Sequence, residues 1–557
     1  MQLLNLTMIS AAVSFTLIHT GNFFLLPIGL ILLVYSVFMA SYSLIMFWFR
    51  SHQINHLTSQ RFFDQKWLPV ILLLGALLCM GTGVLLSFFF YPPGEAEFRN
   101  GIMWIDGRGE CVGETDKITV DMYVSHRTAT LHDPTHHYFA GVRKRGSNSL
   151  SFAKPQFALE VRHPDGSDNK VTLKGLHRAS EYVLNGMAVD PTLMRNVLAY
   201  WISAQQGQWA PETKWVELFW SLERKPSDYH GADRQPFWWL SRQYYGIYVL
   251  IDRIRSGADF IPLDEDQGGW IVSSFDAKYD DYRPMSAIYT RTDFRTSVYP
   301  TDTTKEQEED INNQIDYFEK VIFGPCAFNH TAAVQSVVHM ESFIAYFLHC
   351  ELTFNFDAYS RSVYIHRLDR NGPIRMGPVW DYDRALGNWP HDIYGVDSYS
   401  HNSDYEFEQE KGWLFMIRMQ QSSGGVCFWY GRLFQNSSII QQVQDAWVEG
   451  RKAGGPFDLD SILDFVDAQA HLVGAEAYAR NWERWTDWLP LFRHYFVALE
   501  HDSYGLDHLK SMLRRRIAWL DENIPKLQAD MDALMQLSED NFGWKFKLEG
   551  QGDFCPS

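Results

Sequence analysis

Asp357, Ser362, Asp381 and Asp383 are the residues of this chain whose types and spacing suit catalysis. They bracket a hairpin within NFDAYSRSVYIHRLDRNGPIRMGPVWDYDRALGN, Asn355 to Asn388. Val363–His366 and Ile374–Val379 are short β-prone runs. Asp369-Arg370-Asn371-Gly372 between them carries an Asn-Gly turn signal, because those residues tolerate positive φ. A hairpin brings its outer ends together, so Asp357 and Ser362 should meet Asp381 and Asp383. Three converging carboxylates need a cation or a shared proton. If 380–383 is extended, Asp381 and Asp383 point to one face and Tyr382 to the other. That suits a hard divalent cation such as Mg²⁺ holding substrate phosphates.

Asp357 and Ser362 are five apart, the spacing of the catalytic Asp and metal-binding Asn in protein-kinase catalytic loops. In that pattern the Asp orients an attacking hydroxyl and a later Asp holds the metal. The competing reading is an acidic surface hairpin with ordinary turn aspartates. No Asp-Phe-Gly or His-Arg-Asp motif is present. Phosphates also need amides or positive charge opposite the metal. Gly146 with Ser147-Asn148-Ser149 can form a turn whose amides face phosphate, flanked by Arg145 and Lys154. For Lys154 the alternative is a solvated lysine on a strand edge. His132, His136 and His137 surround Asp133-Pro134, but their spacing is no recognised ligand pattern, and a polar turn leading into a strand is the better reading.

The same stretch resembles the CotH kinase family of atypical kinases. Matching pieces, in the family's order, are RGSNSLSFAKPQFALEV (145–161), EYVLNGMAVDPTLMRNVLAYWI (181–202), QYYGIYVLIDRI (243–254), GGWIVSSFD (268–276) and the segment 342–388. With LKSMLRRRIAWLDENI (509–524) the resemblance covers about residues 100–530, and MGPVWDYDRALGN is its most specific piece. It implies an α+β, atypical protein-kinase-like bilobal domain that phosphorylates Ser or Thr of protein substrates with ATP and Mg²⁺ or Mn²⁺. It also implies Asp357 as the catalytic residue, Asp381, Asp383 and Ser362 as metal ligands, and Lys154, Arg145 and Asn148 as nucleotide contacts. Two departures stand out. Ser362 occupies the place of the usual Asn, and Pro155 replaces the second residue of a basic pair that begins at Lys154. Arg195, Asn196, Asp252 and Asp276 fall on further family positions, with structural roles as the default. Some fungal relatives are regarded as adhesins, so a cell-surface binding protein with little or no catalysis is the alternative.

The elements that must position these residues begin after an unusual start. Phe23–Phe49 and Trp67–Tyr91 are charge-free apolar runs of 27 and 25 residues, each longer than the roughly 20 that a helix needs to cross a bilayer. Residues 1–20 offer a third. The loop 50–66 holds Arg50, Arg61 and Lys66 against Asp64, and basic loops stay cytoplasmic. The expectation is therefore two to three transmembrane helices in 1–94 (about 1–20, 23–49 and 67–91) and a multi-pass membrane protein of the secretory pathway. A linker at 95–117 and a kinase-like domain at 118–545 follow, the latter lumenal or extracellular. Sequons at Asn329 and Asn436 fit glycosylation there.

Net charge is −18, and the first 94 residues hold three basic and one acidic residue, so the rest carries −20. Such a domain is a poor nucleic-acid binder and suits basic, Ser-rich protein substrates or metal ions. Six cysteines show no CxxC spacing, and Cys350 lies in an apolar helical run that makes it a buried thiol. Residues 118–335 read as a strand-rich nucleotide lobe. Asp190-Pro191 forms an N-cap and first helical residue ahead of Leu193–Ala204. Residues 336–545 read as a helical lobe with candidate helices at Asp460–Gln469, Leu491–Leu499 and Leu506–Asp521. The aromatic cluster Phe237-Trp238-Trp239 reads as buried packing. The acidic 390–412 stretch, just after the metal loop, is a candidate for substrate contacts.

Overall fold

Val120, Met122 and Val124 recur at every second position of Ile118–Val124, the period of one strand face, and all three are buried. The same alternation builds a closed seven-stranded barrel in the computed structural model. The structure describes residues 98–125, 136–146, 148–221, 243–274, 296–324, 331–355, 357–388, 411–421, 425–485 and 505–541. The barrel strands are β1 (Ile102–Asp106), β2 (Ile118–Val124), β3 (His136–Arg145), β4 (Gln156–Arg162), β5 (Glu181–Asn185), β6 (Thr213–Ser221) and β7 (Tyr244–Asp252). Their order is β1-β2-β3-β4-β5-β7-β6, and β1 closes the ring by pairing parallel to β6. Closure leaves no edge strand exposed to pair with another chain. Met103, Ile105, Ala140, Val142, Leu159, Leu184, Val216 and Leu250 fill the interior with the β2 residues.

Helix α1 (Arg195–Gln205) lies between β5 and β6. Beyond β7 the chain forms β8 (Trp270–Ser274), β9 (Thr296–Tyr299), α2 (Lys305–Phe323), α3 (Thr331–Val337) and α4 (Met340–Thr353). The hairpin strands β10 (Val363–Arg367) and β11 (Arg375–Met376) then join a second sheet in the order β11-β10-β8-β9. This sheet takes strands from both sides of residue 335. Helices α5 (Leu414–Gln421), α6 (Cys427–Leu433), α7 (Ser437–Gly450), α8 (Leu459–Val473), α9 (Ala475–Arg484), α10 (Leu506–Asn523) and α11 (Leu527–Asn541) complete the described chain.

Two ion pairs made on buried carboxylates fasten the helices. Arg516 of α10 pairs with Glu351 of α4 at 3.0 Å, both side chains fully buried. Glu351 also accepts the amides of Leu414 and Phe415 and the Tyr359 hydroxyl. Arg480 of α9 pairs at 2.8 Å with Glu217 of β6, itself buried and bonded to the Tyr244 hydroxyl. One residue on, Asn481 accepts the Ile247 amide at 3.1 Å. Gly246 makes that approach possible, since a Cβ there would stand 2.5 Å from Asn481 Oδ1.

The fold is thus mixed α/β around a closed barrel, and one expectation about it is corrected. No helix among the described residues is long and apolar enough to cross a membrane. The longest, α2, carries Lys305, Glu306, Glu308, Glu309 and Asp310 within two turns, and charge of that density is incompatible with a spanning helix. The apolar runs at 1–20, 23–49 and 67–91 lie outside the described residues. Neither the preceding transmembrane helices nor the multi-pass placement of the large domain is supported, and both are set aside.

Local readings are refined. The β10–β11 turn does not use positive φ at Asn371 or Gly372. Instead the Asp369 carboxylate accepts the amides of Asn371 and Gly372 at 2.8 and 2.9 Å. Helix α1 starts at Arg195, later than the Asp190-Pro191 signal placed it. Asp190 still feeds its start, accepting the Thr192 and Arg195 amides at 3.0 and 2.8 Å. Cys350 is buried, as its apolar surroundings require. Asn436 spends its side chain capping α7, accepting the Ser438 amide. His136 and His137 lie on β3, where His137 bonds Asp121 at 2.6 Å. Leu491–Leu499, Asn329, His132, Asp276, Phe237-Trp238-Trp239 and most of 390–412 lie outside the described residues.

Candidate functional site

The hairpin does bring its outer ends together. Ser362, one residue before β10, donates from Oγ to Asp381 Oδ2 at 3.1 Å. Both residues hold left-handed backbone, with φ of 52° and 69°. Asp381 therefore departs from the extended chain assumed for 380–383. Tyr382 nonetheless points into the core, with its hydroxyl 3.7 Å from the buried Cys350 sulfur. Asp383 is almost fully buried.

Asn355 spans the two loops. It is 1% exposed, accepts the Asp357 amide at 3.2 Å and donates to the Asp381 carbonyl at 3.2 Å. Helix α1 clamps the second loop from its other side. Asn196 accepts the Tyr382 amide at 2.6 Å, and Arg195 donates to the carbonyls of Ala385 and Leu386. Arg195 is itself held by Asp190 at 2.5 Å. Asn388 closes the loop by donating to the Asp383 carbonyl at 2.5 Å and the Val189 carbonyl at 2.8 Å. The aspartates thus sit on backbone fixed at several points, as a preorganised site requires.

The three carboxylates do not form a group of ligand atoms within 4.8 Å of one another, but their charges act on one another. Asp381 meets solvent, yet protein atoms crowd its carboxylate. Burial among protein atoms, then the neighbouring Asp357 charge, raises its pKa, with Ser362 and Arg145 opposing. Asp383 is pushed well above the usual carboxylate range by burial first, then by Asp381, Asp190 and Asp357, with Arg384 opposing. Carboxylates that repel one another in this way are poised to take a cation. The donor set is oxygen only, two carboxylates and a hydroxyl, which fits a hard divalent ion such as Mg²⁺ or Mn²⁺. Asp357 remains partly solvent-exposed, and Arg361 approaches it at 3.7 Å.

The opposite wall is partly as expected. Arg145, at the end of β3, places its guanidinium 5.5 Å from the Trp380 ring and within the field of Asp381. Gly146 follows with φ of 127°, and a Cβ there would stand 1.9 Å from Ser149 Oγ. Only glycine permits this tight turn, which can bring backbone close to a phosphate. The Asn148 backbone is in the short helical turn that follows, while its side chain lies outside the described set.

Lys154 is placed differently from a phosphate contact. It is 1% exposed and donates to the Ile247 carbonyl at 2.7 Å and to Asn481 at 2.8 Å. Burial holds its ammonium pKa well below the ordinary value. Asn481 and Asn355 were not legible as site-shaping residues. Asn481 is 327 residues from Lys154 and carries no local signal. For Asn355, its position two residues before Asp357 was the available clue.

A family described as CotH kinase protein matches residues 142–520. No curated protein matches the chain significantly.

Proposed function

Because the chain belongs to the CotH kinase family, we propose that it is an atypical kinase transferring the ATP γ-phosphate to Ser or Thr hydroxyls of a protein. The observation that supports this reading is the grouping of Asp357, Asp381 and Asp383 at the joined ends of the hairpin, in which Asp357 raises the Asp381 carboxyl and both Asp381 and Asp357 raise that of the buried Asp383. A surface hairpin has no need of such crowding. Asp381, Asp383 and Ser362 would hold Mg²⁺ or Mn²⁺, whose part is to neutralise charge on the phosphates. Asp357, partly exposed at the mouth, would accept the proton of the acceptor hydroxyl and orient it. Arg145 and the turn at Gly146 would face the phosphates from the barrel side. The charge of −20 outside the first 94 residues favours a basic acceptor, such as a Ser-rich segment with Lys or Arg.

The test is incubation of the full chain with γ-labelled ATP, Mg²⁺ or Mn²⁺ and a basic Ser-rich protein. Label should enter the acceptor or the chain itself. It should be lost in Asp357→Ala and Asp381→Ala while circular dichroism stays unchanged. Absence of labelling by the wild type with either metal would overturn the kinase reading. One observation favours a second reading, a binding protein with little or no catalysis. The Lys154 ammonium is consumed by Ile247 and Asn481 rather than offered to a ligand.

A further inference from the structure

A second group of ligand atoms lies on another part of the barrel. His177 sits just before β5, Glu212 just before β6, and Asp252 ends β7. One nitrogen and two carboxylate oxygens from these residues lie within 4.8 Å of one another. His177 Nδ1 is 2.6 Å from Asp252 Oδ2 and 3.9 Å from Glu212 Oε2. These separations straddle the roughly 3.4 Å expected between two ligands bonded at about 2.1 Å to a tetrahedral ion.

The second observation concerns Asp252. Its side chain is fully buried, and its Oδ1 has no hydrogen-bond partner among the described residues. A buried carboxylate oxygen without a donor is costly. Glu212 stands beside it, and the Asp259 charge also acts on His177. The backbone around the group is fixed. Asp252 donates its amide to the Glu212 carbonyl at 3.1 Å. The Tyr182 hydroxyl donates to the His177 carbonyl at 2.9 Å. Two carboxylates therefore flank one imidazole on a rigid frame, with an orphaned oxygen at its buried end.

We propose that His177, Glu212 and Asp252 bind a divalent cation of the zinc class, through Nδ1 and one oxygen from each carboxylate. An imidazole ligand suits Zn²⁺ and Co²⁺ better than Mg²⁺. Binding would form three metal–ligand bonds, leave the fourth position to water, and displace the proton that Nδ1 now shares with Asp252, to Nε2 in a neutral ring or to solvent from an imidazolium. The ion would tie the ends of β5, β6 and β7 where the chain leaves the barrel for β8. This site is separate from the hairpin aspartates, and its existence does not depend on kinase activity.

The test uses the full chain, stripped with chelator, in an Asp381→Asn background that weakens the hairpin site. Titration with Co²⁺ or Zn²⁺ should show one equivalent, with visible cobalt bands. Excess Mg²⁺ should not displace it. Glu212→Gln and His177→Gln should each weaken binding at least about tenfold. Glu212 is half exposed, so its substitution leaves the fold intact. Unchanged affinity in both variants, displacement by Mg²⁺, or no bound equivalent would each overturn the site and show His177–Asp252 to be an ion pair only.

Discussion

Asn355 donates to the Asp381 carbonyl at 3.2 Å, so the loop before the hairpin and the loop after it are one hydrogen-bonded unit. The same side chain accepts the Asp357 amide. The relative placement of Asp357 and Asp381, the proposed acceptor-orienting and metal-holding residues, therefore depends on a buried amide.

Asn355→Ala should reduce phosphoryl transfer by about 10- to 100-fold, because small misplacements of catalytic groups are costly. Asp357→Ala should cost about 100-fold or more, the scale of a lost general base. Steady-state labelling should show the Asn355 effect mainly in kcat, with the thermal midpoint shifted by only a few degrees. An unchanged kcat would mean that Asn355 does not position the two loops.

Metal affinity should depend on pH. The Asp381 and Asp383 carboxyls have raised pKa values, so protons compete with the cation. Mn²⁺ affinity, followed by calorimetry or electron paramagnetic resonance, should rise with pH as those protons leave. Asp381→Asn should weaken binding. It should also let Asp383 ionise at lower pH, because the strongest like charge acting on Asp383 is removed.

The buried Glu351–Arg516 pair should govern stability of the helical half. Arg516→Leu leaves a buried carboxylate without its guanidinium and should destabilise by about 3–5 kcal/mol. Pairing it with Glu351→Leu should recover part of that loss, although the amides of Leu414 and Phe415 then lose their acceptor. Urea denaturation of the single and double variants measures both. Equal destabilisation of the two would contradict the pairing.

Acid should weaken the fold below the ordinary histidine range. Burial pushes His349 down from 6.5 to about 3 and His366 down to about 4. Both are neutral in the folded chain, whereas the unfolded chain takes up protons near 6.5. Stability is therefore full above that pH and is lost as pH falls toward 4, by about a few kcal/mol for the two together. His349→Gln should flatten the decline. A profile unchanged by that substitution would mean that His349 is already protonated in the fold.

Much of the site was legible because its signals are local. The five-residue step from Asp357 to Ser362, the Asp-Tyr-Asp spacing and the β-prone runs all act over a few bonds. A hairpin brings its ends together whatever surrounds it. Strand periods were equally plain, and β2 falls at its expected bounds of Ile118–Val124. The Asn371-Gly372 turn was less secure. Tertiary placement left the backbone at negative φ and gave the turn amides to the Asp369 carboxylate.

The sequence by itself determined the identity and order of the reactive groups and the strand and helix periods that carry them, because those follow from neighbours along the chain. Only the tertiary structure decided where the buried polar groups find partners. Lys154, which its flanking glycine turn suggested for phosphate, meets Asn481 from 327 residues away. Asn196 and Arg195 reach the loop of Asp381 from 186 and 190 residues earlier in the chain. A buried donor takes whatever acceptor the packing brings within about 3 Å, and sequence spacing does not encode that meeting.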